Sequence, residues 1–382
     1  MISAYHNARL IDASGERFGS LFVEDEFIRH IGDKNDMPAD IDVEANGLVL
    51  MPALFDMHTH LRDPGFPQKE TMESGMRAAL KGGYATLCAM ANTKPVCATA
   101  GLVLQNHKKA EELKLCRLIQ AAAAGEGLKD EIPTDYEALS KATGMISNDG
   151  LTIFSDDFMR NLLLASKKHG FIISTHCQPE RQIVARDIAL LEEVGGNLHV
   201  GHISHRQTLA LIREAKARGL KLTCEVTPHH LFGWDSDYKV NPPLRSHEDV
   251  LAMIEGIKDG TIDCLSTDHA PHTPEDKQNG MAGISNIEYA LQIFLHVFNE
   301  FAIPLTRLSE MASFAPAKRM GIKTGLLKPG YFADIILLEP DGKSTLDCDT
   351  MISQSHNTPF EGRALRGRVL TTVVEGQVRY QA

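Results

Sequence analysis

The sequence has no apolar run long enough to cross a bilayer, and residues 1–19 carry neither the basic start nor the apolar stretch of a secretory leader. A cytoplasmic location is the expectation. A CxxC pair is missing too. The seven cysteines, Cys88, Cys97, Cys116, Cys177, Cys224, Cys264 and Cys348, are odd in number and widely spaced, which excludes a disulfide framework and a cysteine zinc site. Positive charge is in deficit, with 39 Lys and Arg against 50 Asp and Glu and a formal net charge of -11. Nucleic-acid affinity depends on neutralising phosphates with Lys and Arg, so the balance points away from nucleic acid and a membrane surface, toward a small-molecule substrate. Neither a low-complexity linker nor a short internal repeat is present.

What the chain does have is histidine, 17 in all, several of them packed into short motifs. Its 382 residues, 43% hydrophobic and 23% charged, suit a soluble chain with a large core and two domains. Residues 1–50 read as short strands broken by Gly15, Gly19 and Gly32, and residues 325–382 contain the strand 333–338 and a hairpin over 368–380. These ends are expected to build one small β domain. Between them, over 51–324, apolar runs alternate with amphipathic helical stretches. The runs are 47–56, 85–91, 116–122, 151–154, 171–175, 198–201, 221–226 and 262–266, with helices over 71–81, 136–142, 160–168 and 207–218. Eight such units predict an α/β fold, a (β/α)8 TIM-type barrel.

In such a barrel the active site lies at the C-terminal ends of the strands. His58 and His60 follow the first run, Asn92 the second, Asp156 and Asp157 the fourth, His176 the fifth, His202 the sixth, His229 and His230 the seventh, and Asp268 the eighth. A lone histidine there is more often a hydrogen-bonded structural residue. His58 and His60 differ, because alternate residues of an extended strand point the same way and reach one ion together. The joint pattern makes a two-metal shell, and neutral imidazoles with carboxylates suit zinc. Amide hydrolysis needs such a site, because a suitable metal lowers the pKa of water from about 15.7 to about 7. Asp268 is the candidate for moving a proton to the leaving nitrogen.

These residues also lie in longer motifs. The segment 55–65, Phe-Asp-Met-His-Thr-His-Leu-Arg-Asp-Pro-Gly, is followed by Lys69-Glu-Thr71, Met90-Ala-Asn-Thr93, Thr175-His-Cys177, and His199-Val-Gly-His-Ile-Ser204. Further on come Glu225-Val-Thr-Pro-His-His230, Asn241-Pro-Pro-Leu-Arg245, Ser266-Thr-Asp-His-Ala-Pro-His272 and Asn357-Thr-Pro-Phe360. As a set, and in this order, they resemble the dihydroorotases of the amidohydrolase superfamily over nearly the whole chain. The resemblance implies reversible hydrolysis of L-dihydroorotate to N-carbamoyl-L-aspartate in pyrimidine synthesis. It implies one or two zinc ions per subunit, His58 and His60 holding one, His176 and His202 a second, with an aspartate as bridge and Asp268 as ligand and proton shuttle. It also implies that Arg62, Asn92 and His272 bind the substrate carboxylate, with Asn241 and the backbone at Gly283 on its ring. Many superfamily members bridge their metals with a modified lysine. None is available after the fourth run, so the chain resembles the class that uses aspartate. Strand alternation does not choose between Asp156 and Asp157; alignment to that class selects Asp157.

Two rival readings are a hydantoinase or allantoinase, which would leave Arg62 and Asn92 idle, and a non-catalytic barrel partner of aspartate transcarbamoylase. A homodimer is expected, and a complex with aspartate transcarbamoylase is compatible with activity.

Overall fold

The computed structural model describes residues 1–234 and 236–382. Five strands open the chain: β1 (Ile2–Asp12), β2 (Gly15–Glu24), β3 (Phe27–Gly32), β4 (Ile41–Glu44) and β5 (Val49–Pro52). The apolar run 47–56, expected as one strand, is two. The chain leaves β5 at Pro52, and β6 (Leu54–Thr59) begins in a different sheet. A continuous apolar run cannot show such a break, because both pieces are completely buried.

From β6 the barrel continues through β7 (Tyr84–Ala89), β8 (Arg117–Gln120), β9 (Met145–Ser147), β10 (Ile172–Thr175), β11 (Leu198–Val200), β12 (Leu222–Val226) and β13 (Cys264–Leu265). All pair in parallel, as β6-β7-β8 and as β9 to β13. Parallel bridges from Ala122 to Ile146 and from Thr59 to His269 join the two groups into a closed ring. The architecture is therefore a (β/α)8 barrel. Helices follow the expected pattern, and their starts are fixed by side-chain caps such as Thr71 on Met72–Lys81 and Ser155 on Asp156–His169.

The fourth strand is not where the sequence suggested. Residues 151–154 form no strand, and Leu151 and Phe154 are 49% and 64% exposed. The strand is β9, only three residues long and wholly buried. This shifts the strand end from Asp156 and Asp157 back to Asn148 and Asp149.

The chain finishes with β14 (Ile335–Thr345), β15 (Ala364–Val374) and β16 (Gln377–Gln381). They join the opening strands in an eight-stranded sheet ordered β16-β15-β14-β5-β1-β2-β3, with β4 beside β1. Leu10, Leu21, Val23, Ile28, Ile335 and Val373 form that sheet's own core. It is tied to the barrel by half-buried Arg117 on β8, whose guanidinium donates to Asp334 (2.8 Å) and Glu375 (2.7 Å). Phe55, Met57, Cys88, Met90, Met145 and Cys264 make a separate cluster among the barrel strands. Burial pushes the Cys88 and Cys264 thiols well above their usual range, so they pack as inert apolar groups. Among the described residues, no helix is long and apolar enough to cross a membrane.

Candidate active site

Backbone contacts at the barrel mouth set the site. The amide of Asp268 donates to His58 O (2.9 Å) and that of His60 to His269 O (2.8 Å), so the ends of β6 and β13 are zipped together. Asn148 Oδ1 accepts from the amides of Ala124 (2.9 Å) and Gly125 (3.1 Å), which holds the turn after β9. His202, after β11, is held by its own amide on Glu225 Oε1 (3.3 Å). Buried Glu180 accepts from the next residues, Ser204 N and His205 N. Arg62, His202 and Asp268 all have positive φ (58°, 30° and 46°), a conformation costing side-chain-bearing residues roughly 1–3 kcal/mol each. The surrounding hydrogen bonds keep these three in place.

Asp149 is the centre of the cluster. Its Oδ1 lies 3.2 Å from His58 Nε2, 3.3 Å from His202 Nε2 and 3.5 Å from His176 Nδ1, and its Oδ2 lies 3.2 Å from His60 Nε2. Asp268 Oδ1 lies 3.1 Å from His60 Nε2 and 3.7 Å from His58 Nε2. Burial works to raise the pKa of Asp149, but the imidazoles of His58, His176 and His202 outweigh it and keep the carboxylate well below its ordinary range. Asp268 is shifted downward in the same way, burial being overcome by His60, His58 and His202.

The expected aspartate is corrected by this geometry. Asp157 lies in the first turn of the helix Asp156–His169, with its side chain 91% exposed and paired to Arg160 (2.7 Å), and Asp156 is paired to Arg186 (2.8 Å). Neither approaches the four histidines. Asp149, which the sequence reading passed over, does. Its signal was present as Met145-Ile-Ser147 followed by Asn-Asp-Gly, a short strand ending in a turn, but the neighbouring apolar residues 151–154 were the more conspicuous run.

Outer partners orient the rings. His58 Nδ1 donates to Glu225 Oε1 (2.8 Å), and His60 Nδ1 donates to Asn92 Oδ1 (2.9 Å). A neutral ring that keeps these bonds, the form that ligates metal, turns an unprotonated Nε2 toward carboxylate oxygens, and His58 Nε2 is buried with no hydrogen-bond partner. In that form nitrogen and oxygen lone pairs face each other at 3.1 to 3.7 Å, an arrangement that a bound cation would satisfy. Four imidazoles and two carboxylates form a donor set that fits divalent metal, with His58, His60 and Asp268 in one group and His58, Asp149 and His202 in another.

Glu225 is a second residue the sequence reading missed. A charged side chain within an apolar barrel strand signals an obligatory partner. It has four: besides His58 and the His202 amide, it accepts from His199 Nε2 (3.0 Å) and from the Ser266 hydroxyl (2.5 Å). Burial would raise its pKa, yet His199 and His58 hold it well below the usual range. Gly201 leaves room for this contact, since a Cβ there would sit 2.9 Å from Thr175 O and 3.5 Å from His58 Nδ1. We expect Glu225→Gln to keep the fold and weaken metal binding about 10- to 100-fold, read by competition with a chromophoric chelator. Unchanged affinity would remove Glu225 from the ligand-orienting set.

The remaining expected residues surround a cleft of about 250 Å³ whose walls include His60, Asp149, His176, His202 and Asp268. Arg62, Asn92, Asn241, His272 and Gly283 all line it. Asn241 Nδ2 meets His176 Nε2 at 3.1 Å. Gly283 (φ 145°) could not carry a side chain, because a Cβ would lie 2.7 Å from both Ala270 O and His272 Cδ2. Lys277 holds this rim, its ammonium donating to Lys239 O (2.9 Å), Met281 O (3.0 Å) and Gly283 O (2.9 Å). His229 and His230, also at a strand end, turn into buried structural bonds: His229 Nδ1 accepts from Asn286 Nδ2 (3.2 Å), and His230 Nε2 donates to Pro242 O (3.0 Å).

Residues 49–379 match the Amidohydrolase family. The chain belongs to the amidohydrolase family. Among curated relatives of this amidohydrolase is a dihydroorotase of Clostridium botulinum, 35% identical over 398 residues and covering 98% of each chain. Another, from a Thermoanaerobacter species, is 36% identical over 417 residues, covering 98% of this chain and 96% of its own. That aligned span exceeds the 382 residues of this chain, so the relative carries insertions that this amidohydrolase lacks. The fold is shared with an L-hydantoinase (dihydropyrimidinase) from Arthrobacter aurescens, at TM-score 0.91 and 24% identity, covering 98% of this chain and 95% of that one. A D-hydantoinase from a Thermus species gives TM-score 0.87 at 23% identity, covering 99% and 95%.

Proposed function

We propose that this amidohydrolase is a dihydroorotase, opening the cyclic amide of L-dihydroorotate reversibly to N-carbamoyl-L-aspartate in cytoplasmic pyrimidine synthesis. The observation that carries the reading is Arg62, a buried guanidinium on the cleft wall two residues from His60. Its Nε donates to Pro271 O (3.2 Å), while most of its remaining N–H groups are free to meet a ligand. A guanidinium fork is a carboxylate receptor, and a hydantoin ring has no carboxylate to offer it. Asn92 fits alongside, since its Oδ1 is taken by His60 Nδ1 and its Nδ2 is left as donor.

In this reading His58, His60 and Asp268 would hold one zinc ion and His176 and His202 a second, with Asp149 the carboxylate that would be shared between them. The metal, when bound, polarises the ring carbonyl and lowers the pKa of water. The chain's own residues do the rest. Arg62, Asn92 and His272 bind the carboxylate, and Asn241 with the Gly283 backbone aligns the ring so that its amide carbonyl faces the cluster. Asp268 accepts a proton from the attacking water on a carboxylate oxygen and delivers it to the ring nitrogen as the C–N bond breaks. The reverse reaction uses the same group as base. A homodimer and a complex with aspartate transcarbamoylase belong to this proposal, and sizing with light scattering, alone and with that enzyme added, tests them.

The experiment that tests the activity is ring opening of L-dihydroorotate by zinc-loaded protein, beside a chelator-treated sample and parallel reactions with hydantoin and allantoin. Chelator-sensitive turnover of dihydroorotate alone is the expected result. Preferential turnover of hydantoin would instead favour the activity named for the fold's solved neighbours.

A further inference from the structure

Beside the metal cluster the cleft contains a second arrangement of charges, centred on His272. Arg62 Nη2 lies 3.2 Å from His272 Nε2. On the far side of the same ring, Lys69 Nζ lies 3.3 Å from His272 Nδ1 and 3.1 Å from Asp276 Oδ2. Lys69 is 13% exposed and His272 is 4% exposed. Guanidinium and ammonium groups only donate, whereas a neutral imidazole has one N–H and one lone pair. Charging the ring only removes its acceptor, and it is disfavoured: burial, then the cations of Arg62 and Lys69, push the His272 pKa down to about 3. One ring therefore stands between two cations and can accept from only one of them at a time.

The two contacts, 3.2 Å at Nε2 and 3.3 Å at Nδ1, are equally close; when Nε2 accepts from Arg62, the ring proton is on Nδ1, 3.5 Å from Asp276 Oδ2, and Lys69 is left to Asp276. An anion that engages Arg62 changes this balance. Nε2 is released, the proton that leaves Nδ1 is matched by one that arrives at Nε2 through cleft water, and Nε2–H donates to the same anion. The lone pair now on Nδ1 then accepts from Lys69. We propose that Lys69 is a positioning residue that selects carboxylate-bearing substrates, by taking the Nδ1 lone pair of His272 and committing the ring to present Nε2–H beside Arg62. This rests on the reading of the cleft as the site of a ring with a carboxylate, and adds the residue that enforces it from behind.

The test uses metal-loaded protein with histidine-selective 15N labelling, the His272 signal being assigned by its loss in His272→Asn. Titration with orotate, a planar carboxylate analogue, is expected to place the His272 proton on Nε2 in the wild type and on Nδ1 in Lys69→Met. In kinetics, Lys69→Met is expected to raise KM for L-dihydroorotate about tenfold with kcat near wild type, as expected for loss of one charge-assisted contact. Lys69→Arg, which keeps a cationic donor, restores most of the KM. A His272 proton found on Nδ1 in the wild type at saturating orotate would overturn the proposal, as would an unchanged KM in Lys69→Met. If Lys69→Met does not fold, the wild-type titration alone decides. If the wild type does not open L-dihydroorotate at all, the reaction assignment falls, and the orotate titration still reports on Lys69.

Discussion

Asp149→Ala is expected to lower turnover of L-dihydroorotate about 10³-fold or more and to yield protein with less bound metal, while Asp157→Ala matches the wild type in both. The argument is one of reach. Asp149 touches all four cluster imidazoles from a position 3% exposed to solvent, and its two oxygens face different rings. Only a carboxylate so placed contacts every histidine of both ligand groups. Asp157 lies on a helix surface with a solvent-screened partner, Arg160, and its loss removes nothing from the cleft. Metal analysis together with steady-state rates of the two variants checks this. Full metal content and activity in Asp149→Ala, or their collapse in Asp157→Ala, would reverse the assignment.

The second large effect concerns Asp268→Asn. The substitution keeps the shape of the side chain and an oxygen to face His60, so fold and metal content are expected to persist. The amide cannot take up the proton that the carboxylate carries, and kcat is expected to fall about 10²- to 10⁴-fold. Thermal unfolding and metal analysis on the same preparation separate this from a folding defect. Activity within a few-fold of wild type would exclude Asp268 as the proton shuttle.

Much of this site could be read from sequence because a barrel gathers distant strand ends into one place. His58, His60, His176, His202 and Asp268 each follow an apolar run long enough to be recognised, and each lines the cleft or touches Asp149. The reading failed at the fourth strand for a physical reason. Three residues, Met145–Ser147, are enough to make a barrel strand when their neighbours supply the hydrogen bonds, and such a segment has too few side chains to show a period. Leu151 and Phe154 resembled a buried strand yet sit at the surface, where the rim tolerates apolar side chains. Glu225 was legible in principle, as an acid inside an apolar strand. Lys69 was not, because its place behind His272 depends on a contact between residues 203 positions apart.

The sheet made from both ends of the chain has a consequence for synthesis. Strand β5 pairs with β14, Pro52 opposite Ile335 and Val49 opposite Leu338. At ribosomal rates of roughly 5–20 residues per second, the first strand edge waits between about a quarter of a minute and one minute for its partner to be made. During that time residues 1–52 are an unfinished sheet with an open apolar edge, the kind of surface that pairs with other nascent chains. The last strands thus act as a release step for the newly made protein, and chains cut short before Ile335 are the ones that chaperones must hold.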